Sequence, residues 1–533
     1  MTGMAQPRRH PSSELLLALL PIAILLSLFA YLRPVPAEDA CILLRYATHL
    51  ATGHGIVWNV GEDPVEGATE FAWMLMAALI IRLGAPVLGT LQALGLVFSC
   101  LGAVTLYEAS RRFFRTGRGT ALLVSCCYAA STTVLHAGTG FSTPLYTLLM
   151  LWSFLLACRI VDEPSGADRS GRLLALCLLA LALTRPEGVL FAALLYMALM
   201  SSGLPLAWPR FLRDQALLLA APGAVYYVWR TCYFGYPFPN TFYVKVFHGA
   251  VNPESAVRIA TFVFHFCLLP LALIGVWLLT LPAPRRRRYL LLALVPLLYM
   301  ACYLRFAMIQ DVGFRFLFPS YAILLALAAP AFDALVAAPL RRATGAAEPG
   351  SLAGRAVAAG LAGLLLASSA RMIHASDHRG VYDDRFEIGR RLARFEPASH
   401  VMMTSEAGYL PYLSDWVTLD PLGLNDETVA HAGLTESYID SRVPDLIMFH
   451  VDTPRYSERW TPAGADRWEA MTKLMHRYAQ ERGYRLVAVI QKSSRPADGY
   501  HWYYVKPSAA DSEAIAREIL GVPGARYVEG SGE

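Results

Sequence analysis

Glu38–Glu66 reads EDACILLRYATHLATGHGIVWNVGEDPVE and follows directly on the first hydrophobic run, Leu15 to Leu32. It carries an acidic pair, Glu38-Asp39, then a glycine- and aromatic-rich segment (Gly53-His54-Gly55, Trp58-Asn59), then Glu62, Asp63 and Glu66. Carboxylates at the edge of a membrane span cost free energy unless partners or a role hold them there. Taken alone, the stretch could be a solvated loop with ordinary charges. Its position decides otherwise: it is the first long loop between spans, and cationic residues follow on the same face.

Outward from this loop the chain is apolar. Of its 533 residues, 55% are hydrophobic and 16% charged, and the mean hydropathy is +0.41. That excludes a soluble enzyme, and several runs approach the ~18 apolar residues a bilayer-spanning helix needs. The net charge of +5 is no nucleic-acid signature, because the basic residues fall mostly between spans. All nine cysteines lie between Cys41 and Cys302 without a CxxC pair, and they read as small buried hydrophobes. The first run follows Arg8-Arg9 and has no small-residue cleavage site before Pro34, so it reads as an uncleaved span.

Arginines before the first span put the N-terminus in the cytoplasm and the loop 33–86 outside. Phe71 to Leu83 is short and ends in Arg82-Leu83, which suits a helix lying at the outer interface. Val87 to Leu106 then runs inward and delivers Arg111, Arg112, Arg115 and Arg118 to the cytoplasm. The alternation continues through Ala121–Leu135, Leu145–Cys158, Leu173–Thr184, Val189–Met200, Ala216–Trp229, Thr261–Leu281, Tyr289–Leu304, Phe316–Leu340 and Val357–Met372. Arg285 to Arg288 and Arg341-Arg342 mark the inside. The expectation is an α-helical polytopic membrane protein of about eleven crossings. Residues 1–373 form its membrane domain and residues 374–533 an extracytoplasmic α/β domain. In the latter, strands are expected at His400–Thr404, Trp416–Leu419, Leu446–His450, Arg485–Gln491 and His501–Val505, and helices at Arg467–Arg482 and Ser512–Leu520.

No Walker loop, dinucleotide fingerprint or HExxH motif is present. The ionisable residues expected at the outer face form one constellation: acids Glu38, Asp39, Glu66 and Asp311, cations Arg45, Arg185, Arg230, Lys245 and Arg315. A carboxylate beside cations suits transfer of a group from a phosphate. The base takes a proton from an acceptor hydroxyl, and the cations hold the charge developing on the leaving phosphate. On the outer face an activated donor would have to arrive on a lipid. Bland readings stand beside these. Arg185-Pro186-Glu187 could be an internal ion pair at a helix break, and Arg45 a partner for Asp39. His54 and His136 could be packing residues, and Trp58, Tyr243 and Tyr303 an aromatic interface belt.

The order of elements resembles the GT-C superfamily of polyprenyl-phosphate-sugar-dependent glycosyltransferases, most of all its bacterial branch of arabinofuranosyltransferases. The residues that carry the resemblance are Glu38-Asp39-Ala40, Gly53 to Asn59, Val65-Glu66-Gly67, Thr184-Arg185-Pro186-Glu187-Gly188, Pro239 to Lys245, and Arg315-Phe316. Ala407 to Tyr412 and Asp420 to Asp426 add to it in the C-terminal part. There are two departures. The family's G-x-E-T turn reads Gly140-Phe141-Ser142-Thr143, and the aromatic expected two places after the acidic pair is Cys41.

The resemblance implies an inverting glycosyltransferase that takes a sugar from a polyprenyl-phosphate donor in the bilayer to a cell-envelope glycan or glycolipid. Asp39 is the expected base, with Glu38 as its alternate. Lys245, Arg315 and Arg185 are the expected donor-phosphate ligands. Glu66, Trp58, Asn240, Tyr243 and Asp311 are expected to contact substrate. No cofactor is implied, although carboxylates and phosphate could share Mg²⁺ or Mn²⁺. The C-terminal domain is expected to handle acceptor as a separately folding unit, with the Asp420–Asp426 loop facing the membrane site. A transporter or flippase of a lipid-linked sugar is the rival, but the internal repeats that would favour it are not found. A silent assembly subunit is a third reading, hinted at by Ser142 alone.

Overall fold

Helix follows helix from Pro11 to His374, because in lipid each backbone polar group must be satisfied within its own segment. The computed structural model describes residues 11–246, 251–339, 352–374, 383–453, 466–492 and 499–524. Arg8-Arg9 and Arg341-Arg342, expected as inside markers, lie outside the described residues. The helices are α1 (Pro11–Leu32), α2 (Ala40–Ala51), α3 (Phe71–Arg82), α4 (Val87–Glu108), α5 (Arg118–Ala129), α6 (Thr133–Gly138), α7 (Thr143–Asp162), α8 (Ala167–Thr184) and α9 (Glu187–Ser201). They continue as α10 (Trp208–Gln215), α11 (Ala221–Phe234), α12 (Asn240–Lys245), α13 (Pro253–Phe262), α14 (Leu268–Thr280), α15 (Ala283–Cys302), α16 (Phe318–Phe332) and α17 (Leu352–His374).

Short π-helical turns at Ala216–Ala220 and Val263–Cys267 join α10 to α11 and α13 to α14, and similar turns prolong α4 and α16. Among the described residues, 5 helical stretches are long and apolar enough to cross a membrane: Val87–Phe113, Thr143–Asp162, Pro253–Thr280, Ala283–Arg305 and Phe318–Ala337. Shorter apolar helices include Ala18–Leu32, Glu187–Ser201 and Ala359–Ile373. The second and last of the 5 are the most buried, 72% and 67%, so α7 and α16 form the centre of the bundle. Helix α3 has 12 residues, about 18 Å of helix against a hydrocarbon core of about 30 Å. It is too short to cross and packs on α2. All nine cysteines are free.

Beyond the bundle come α18 (Asp384–Leu392), β1 (Val401–Thr404), α19 (Tyr409–Ser414), β2 (Val417–Leu419), α20 (Glu427–Ala432) and α21 (Glu436–Arg442). Then follow β3 (Leu446–Val451), α22 (Asp466–Glu481), β4 (Arg485–Gln491), β5 (Tyr500–Val505) and α23 (Ser512–Leu520). The strands and the two longer helices fall within one residue of the expected positions. One mixed sheet results, in the order β2-β1-β3-β5-β4. β1 runs parallel to β2 and β3, while β5 is antiparallel to β3 and β4. Alternate residues serve opposite faces. Met402, Met448 and Tyr503 pack under α18 and α23 with Ile388 and Ile519, whereas Met403, Phe449 and Tyr504 pack under α22 with Met471 and Met475.

The α/β unit is in direct contact with the first loop. The first loop and this α/β unit share a buried polar seam. Arg45 donates to the carbonyls of Pro411 and, at 2.9 Å, Trp416. Trp58 donates its indole N–H to the Thr418 carbonyl at 2.9 Å, and Asn59 pairs with the Thr418 backbone in both directions. A side chain on Gly67 would collide with Asn425 and Tyr46, so the loop lies flat on the unit. The aromatic and polar residues of 38–67 therefore serve largely to hold the α/β unit over the bundle.

Candidate active site

Asp39 flanks the start of α2, yet its side chain makes no capping hydrogen bond. It instead lines a cavity of about 500 Å³ between the bundle and the first loop. Arg185, Glu187, Lys245, Arg315 and Glu70 line the same cavity, and Ile42, Leu43, Leu190, Phe242 and Met308 are among its apolar wall residues. Val189 and Phe238 stand at its rim, 63% and 47% exposed. An apolar mouth above charged groups suits an amphiphilic ligand with an anionic head.

Three corners of backbone aim the cations. Pro186 separates α8 from α9, because proline stops α8 and the residue before it is driven to extended geometry; Arg185 accordingly has φ −152° and ψ 141°. A Cβ on Gly188 would meet the Leu181 backbone at 2.7 Å, so the corner is tight and Arg185 is fixed inward. Its guanidinium pairs with Glu187 at 3.0 Å and lies 5.0 Å from the Phe316 ring. Desolvation works against its charge, but Glu187 and neighbouring tyrosines hold its pKa above the usual arginine value.

Arg315 follows Gly313, whose φ of +64° and 2.9 Å approach to the His136 ring require glycine. The Arg315 guanidinium stacks 3.8 Å from the Phe141 centroid and 4.8 Å from that of Phe316, and among the described residues its Nε has no hydrogen-bond partner. Lys245 ends α12, and its carbonyl accepts from Ala307 at 2.9 Å. Among the described residues neither Lys245 nor Arg315 has a carboxylate in ion-pair contact. Burial lowers the pKa of both, as do neighbouring arginines, while Asp39 pulls each upward. Desolvated cations without paired charge are costly, so an anion entering here is stabilised.

Glu70 is the carboxylate that sequence reasoning missed. It precedes α3 and its Oε2 accepts from the Ser142 amide at 2.9 Å, while Trp73 donates to the Gly140 carbonyl at 2.8 Å. Helix α3 thus holds the 140–142 turn and the Phe141 shelf under Arg315. An acid directly before an apolar helix at the expected membrane face was the available signal. Tyr303 lines the cavity, and its hydroxyl begins a chain through Tyr299 to Tyr146 with 2.9 Å links. In the sequence Tyr303 fits an aromatic interface belt as easily as a sugar platform.

Other expected residues have different partners. Glu38 turns away from the cavity to the amides of Gly408 and Tyr409. Glu66 is bound by Arg230, Asp311 by Arg258 and the Phe316 amide, and Trp58 by β2. Asn240 donates to the Gly423 carbonyl at 2.8 Å, and Tyr243 packs on His431 at 4.6 Å. None of these six lines the cavity; each satisfies a buried or interfacial charge, amide or ring. Arg45 and Arg230, counted among the cations, are likewise taken by backbone and by Glu66. The Asp420–Asp426 loop does reach the site through Leu424. Asp420 builds that loop by accepting from the amides of Leu422 at 3.0 Å and Asn425 at 2.9 Å.

Residues 373–505 match a family model described as "Domain of unknown function (DUF8728)". Over 300 residues the chain is 27% identical to the terminal β-(1→2)-arabinofuranosyltransferase of Mycobacterium tuberculosis, covering 53% of this chain and 47% of that protein. The match therefore spans about half the length of that relative. ArnT from Cupriavidus metallidurans bound to undecaprenyl phosphate superposes with a TM-score of 0.54 and 14% identity, over 94% of this chain and 100% of that one. The archaeal oligosaccharyltransferase AglB from Archaeoglobus fulgidus, in complex with an inhibitory peptide and a dolichol-phosphate, gives a TM-score of 0.58 and 11% identity, over 92% and 74%. The chain is a multi-pass membrane protein that shares the fold of these two solved structures.

Proposed function

We propose that the chain is an inverting glycosyltransferase that moves a sugar from a polyprenyl-phosphate donor to an acceptor hydroxyl at the outer face of the membrane. The carrying observation is the cavity itself: Asp39 faces Lys245 and Arg315, two cations without carboxylate partners among the described residues, behind an apolar mouth. The two solved structures, one in complex with a dolichol-phosphate and one bound to undecaprenyl phosphate, support the same donor class.

In this reading the lipid chain lies along Val189, Leu190 and Phe238 and its phosphate meets Lys245 and Arg315. Asp39 takes the proton of the acceptor hydroxyl as that oxygen bonds to the anomeric carbon. The bond from that carbon to the phosphate oxygen breaks, and the electron pair leaves on the phosphate. The cations hold the added charge, so the leaving group needs no proton. One base and one displacement invert the anomeric centre. Asp39 and Glu70 could share a divalent ion with the phosphate, but among the described residues no group of three His, Cys, Asp or Glu side chains is placed to hold a metal. No step is routed through one.

The finer reading places residues 1–373 in the bilayer with about eleven crossings and the N-terminus inside. Residues 374–533 lie outside, over the cavity. Arabinofuranose is the sugar proposed, on the strength of the sequence relative's name. The test is transfer by the purified protein from polyprenyl-phosphate arabinofuranose to an oligosaccharide acceptor, with other polyprenyl-phosphate sugars in parallel. Transfer from another sugar alone would change the substrate; no transfer from any lipid donor would refute the proposal.

A further inference from the structure

Glu38 and Asp39 are neighbours with opposite fates. Asp39 lines the cavity. Glu38 is 7% exposed and its Oε1 accepts two backbone hydrogen bonds, from Gly408 and, at 3.0 Å, from Tyr409. The Tyr409 hydroxyl donates to the Pro36 carbonyl at 2.7 Å, so the grip encloses the acidic pair from its N-terminal side. The Glu38 carbonyl meanwhile accepts from Cys41 at 2.9 Å and opens α2. A Cβ on Gly408 would collide with the carbonyl oxygen and Oε1 of Glu38. The Gly408-Tyr409 segment is thus fitted to both the carboxyl and the backbone around Glu38.

The charged surroundings are equally specific. Arg385 stands 4.0 Å from Glu38 but is already held by Asp383 at 2.6 Å and by Glu406. Among the described residues Glu38 Oε2 has no hydrogen-bond partner. Burial pushes the Glu38 carboxyl well above the usual glutamate range, Arg385 opposes this, and Glu406 and Asp39 add to it. Both amides converge on one oxygen while Arg385 is drawn to Asp383 and Glu406, so this carboxyl acts as an acceptor for the α/β unit's backbone.

We infer that Glu38 is a positioning residue: its carboxyl clasps the Gly408 and Tyr409 amides of the α/β unit and thereby sets Asp39 in the cavity wall. The inference rests on the proposed glycosyl transfer for its kinetic meaning, though not for its geometry. The α/β unit then has a second duty besides contact with acceptor. Unless it is seated, the base is not aligned.

The experiment compares Glu38→Gln, Glu38→Ala and Gly408→Ala in the full-length protein reconstituted in lipid nanodiscs. Glutamine keeps the accepting oxygen and should retain at least about a third of the wild-type kcat. Glu38→Ala and Gly408→Ala should each lose roughly 10- to 100-fold in kcat with the donor KM changed less than about 3-fold, the signature of a misaligned reacting group. Hydrogen exchange at the Gly408 and Tyr409 amides supplies the arm that needs no activity. Protection should persist in Glu38→Gln and fall in Glu38→Ala, while α22 and β5 stay protected in both. Equal inactivity of Glu38→Gln and Asp39→Asn would make Glu38 the base and overturn the clasp. So would wild-type activity in Gly408→Ala, or unchanged exchange in Glu38→Ala. A wild-type protein without transferase activity would refute the proposed function and leave the exchange result to decide the clasp.

Discussion

Glu70 accepts a hydrogen bond from the Ser142 amide at 2.9 Å and so places a carboxylate at the N-terminus of α7. The first amides of a helix have no partner within it, and a negative charge there is favoured by the helix dipole. In the pattern this chain resembles, the turn itself supplies a glutamate at the position of Ser142. Here the acid comes from a different segment and reaches the same turn. With serine at position 142, Glu70 is the acid that lies against this turn.

Glu70→Ala should destabilise the protein by about 1–3 kcal/mol, because the Ser142 amide loses a charged acceptor in a buried place. Ser142→Glu alone would crowd a second acid against Glu70 and also destabilise. The double substitution should recover part of the loss of either single change. Thermal unfolding of the four proteins gives the coupling energy, and strict additivity would mean that the two positions do not share one role.

Lys245→Ala or Arg315→Ala should lower transfer by roughly 10²–10³-fold, the range for removing one stabiliser of a developing anion. Arg315→Lys should not rescue it, since an ammonium cannot stack between Phe141 and Phe316 as the guanidinium does. Arg287→Ala should be close to wild type, because that side chain is exposed and reaches only the Ser201 carbonyl. Donor titrations of these variants locate the phosphate; equal kinetics in the Lys245 and wild-type proteins would move it elsewhere.

The bundle and the sheet could be read from residue pattern because both follow from apolar sequence, a short continuous run in β3 and long apolar runs in α7 and α16. Asp39 and the three cations were legible for a related reason, since charges beside spans are few and their side of the membrane follows from flanking arginines. What stayed hidden was pairing across distance. Nothing local in Trp58 or Asn59 reveals a partner at Thr418, and nothing in Glu66 reveals Arg230. The same residue types serve a sugar platform or an interface, and only the fold decides. Glu70 escaped for the opposite reason: it looks like the ordinary polar start of an apolar helix.

Acid should loosen the seam between the first loop and the α/β unit. Burial disfavours the charge of Asp383 and Glu406, but Arg385 overcomes this and holds each at about 2. Both therefore lie below their ordinary values near 4. A depressed carboxylate contributes stability that is present above the unfolded value and is lost as pH falls through the folded one. Stability should thus be retained above about pH 5 and decline between about pH 4 and 2. Arg385→Met should flatten that decline. Unfolding followed by tryptophan emission against pH checks this, with Trp58 and Trp416 both buried at the seam.

Single cysteines at the exposed Arg115 position and in the α/β unit should label from opposite faces of the membrane. The turn after α4 carries Arg111, Arg112 and Arg115, and arginine-rich short loops stay cytoplasmic. Introducing the cysteines into a protein whose own nine are replaced by alanine or serine, then labelling intact cells and inverted vesicles, tests the proposed orientation. Labelling of both positions from one face would overturn it.

Asp39→Asn is the decisive substitution for the chemistry. Asparagine keeps the size of the side chain and its place beside α2, and removes only the basicity. Loss of a general base costs about 10²–10⁴-fold in rate. With the phosphate on Lys245 and Arg315 as proposed, donor affinity should be preserved or improved, because the variant no longer places a negative charge opposite the lipid phosphate. The substitution should therefore lower kcat and leave the donor KM unchanged or smaller. A rise in donor KM with normal kcat would assign Asp39 to binding. Near-normal kcat and KM together would remove the base from Asp39, and with Glu38 bound to the Gly408 and Tyr409 amides, Glu70 would be the next carboxylate in the cavity to test.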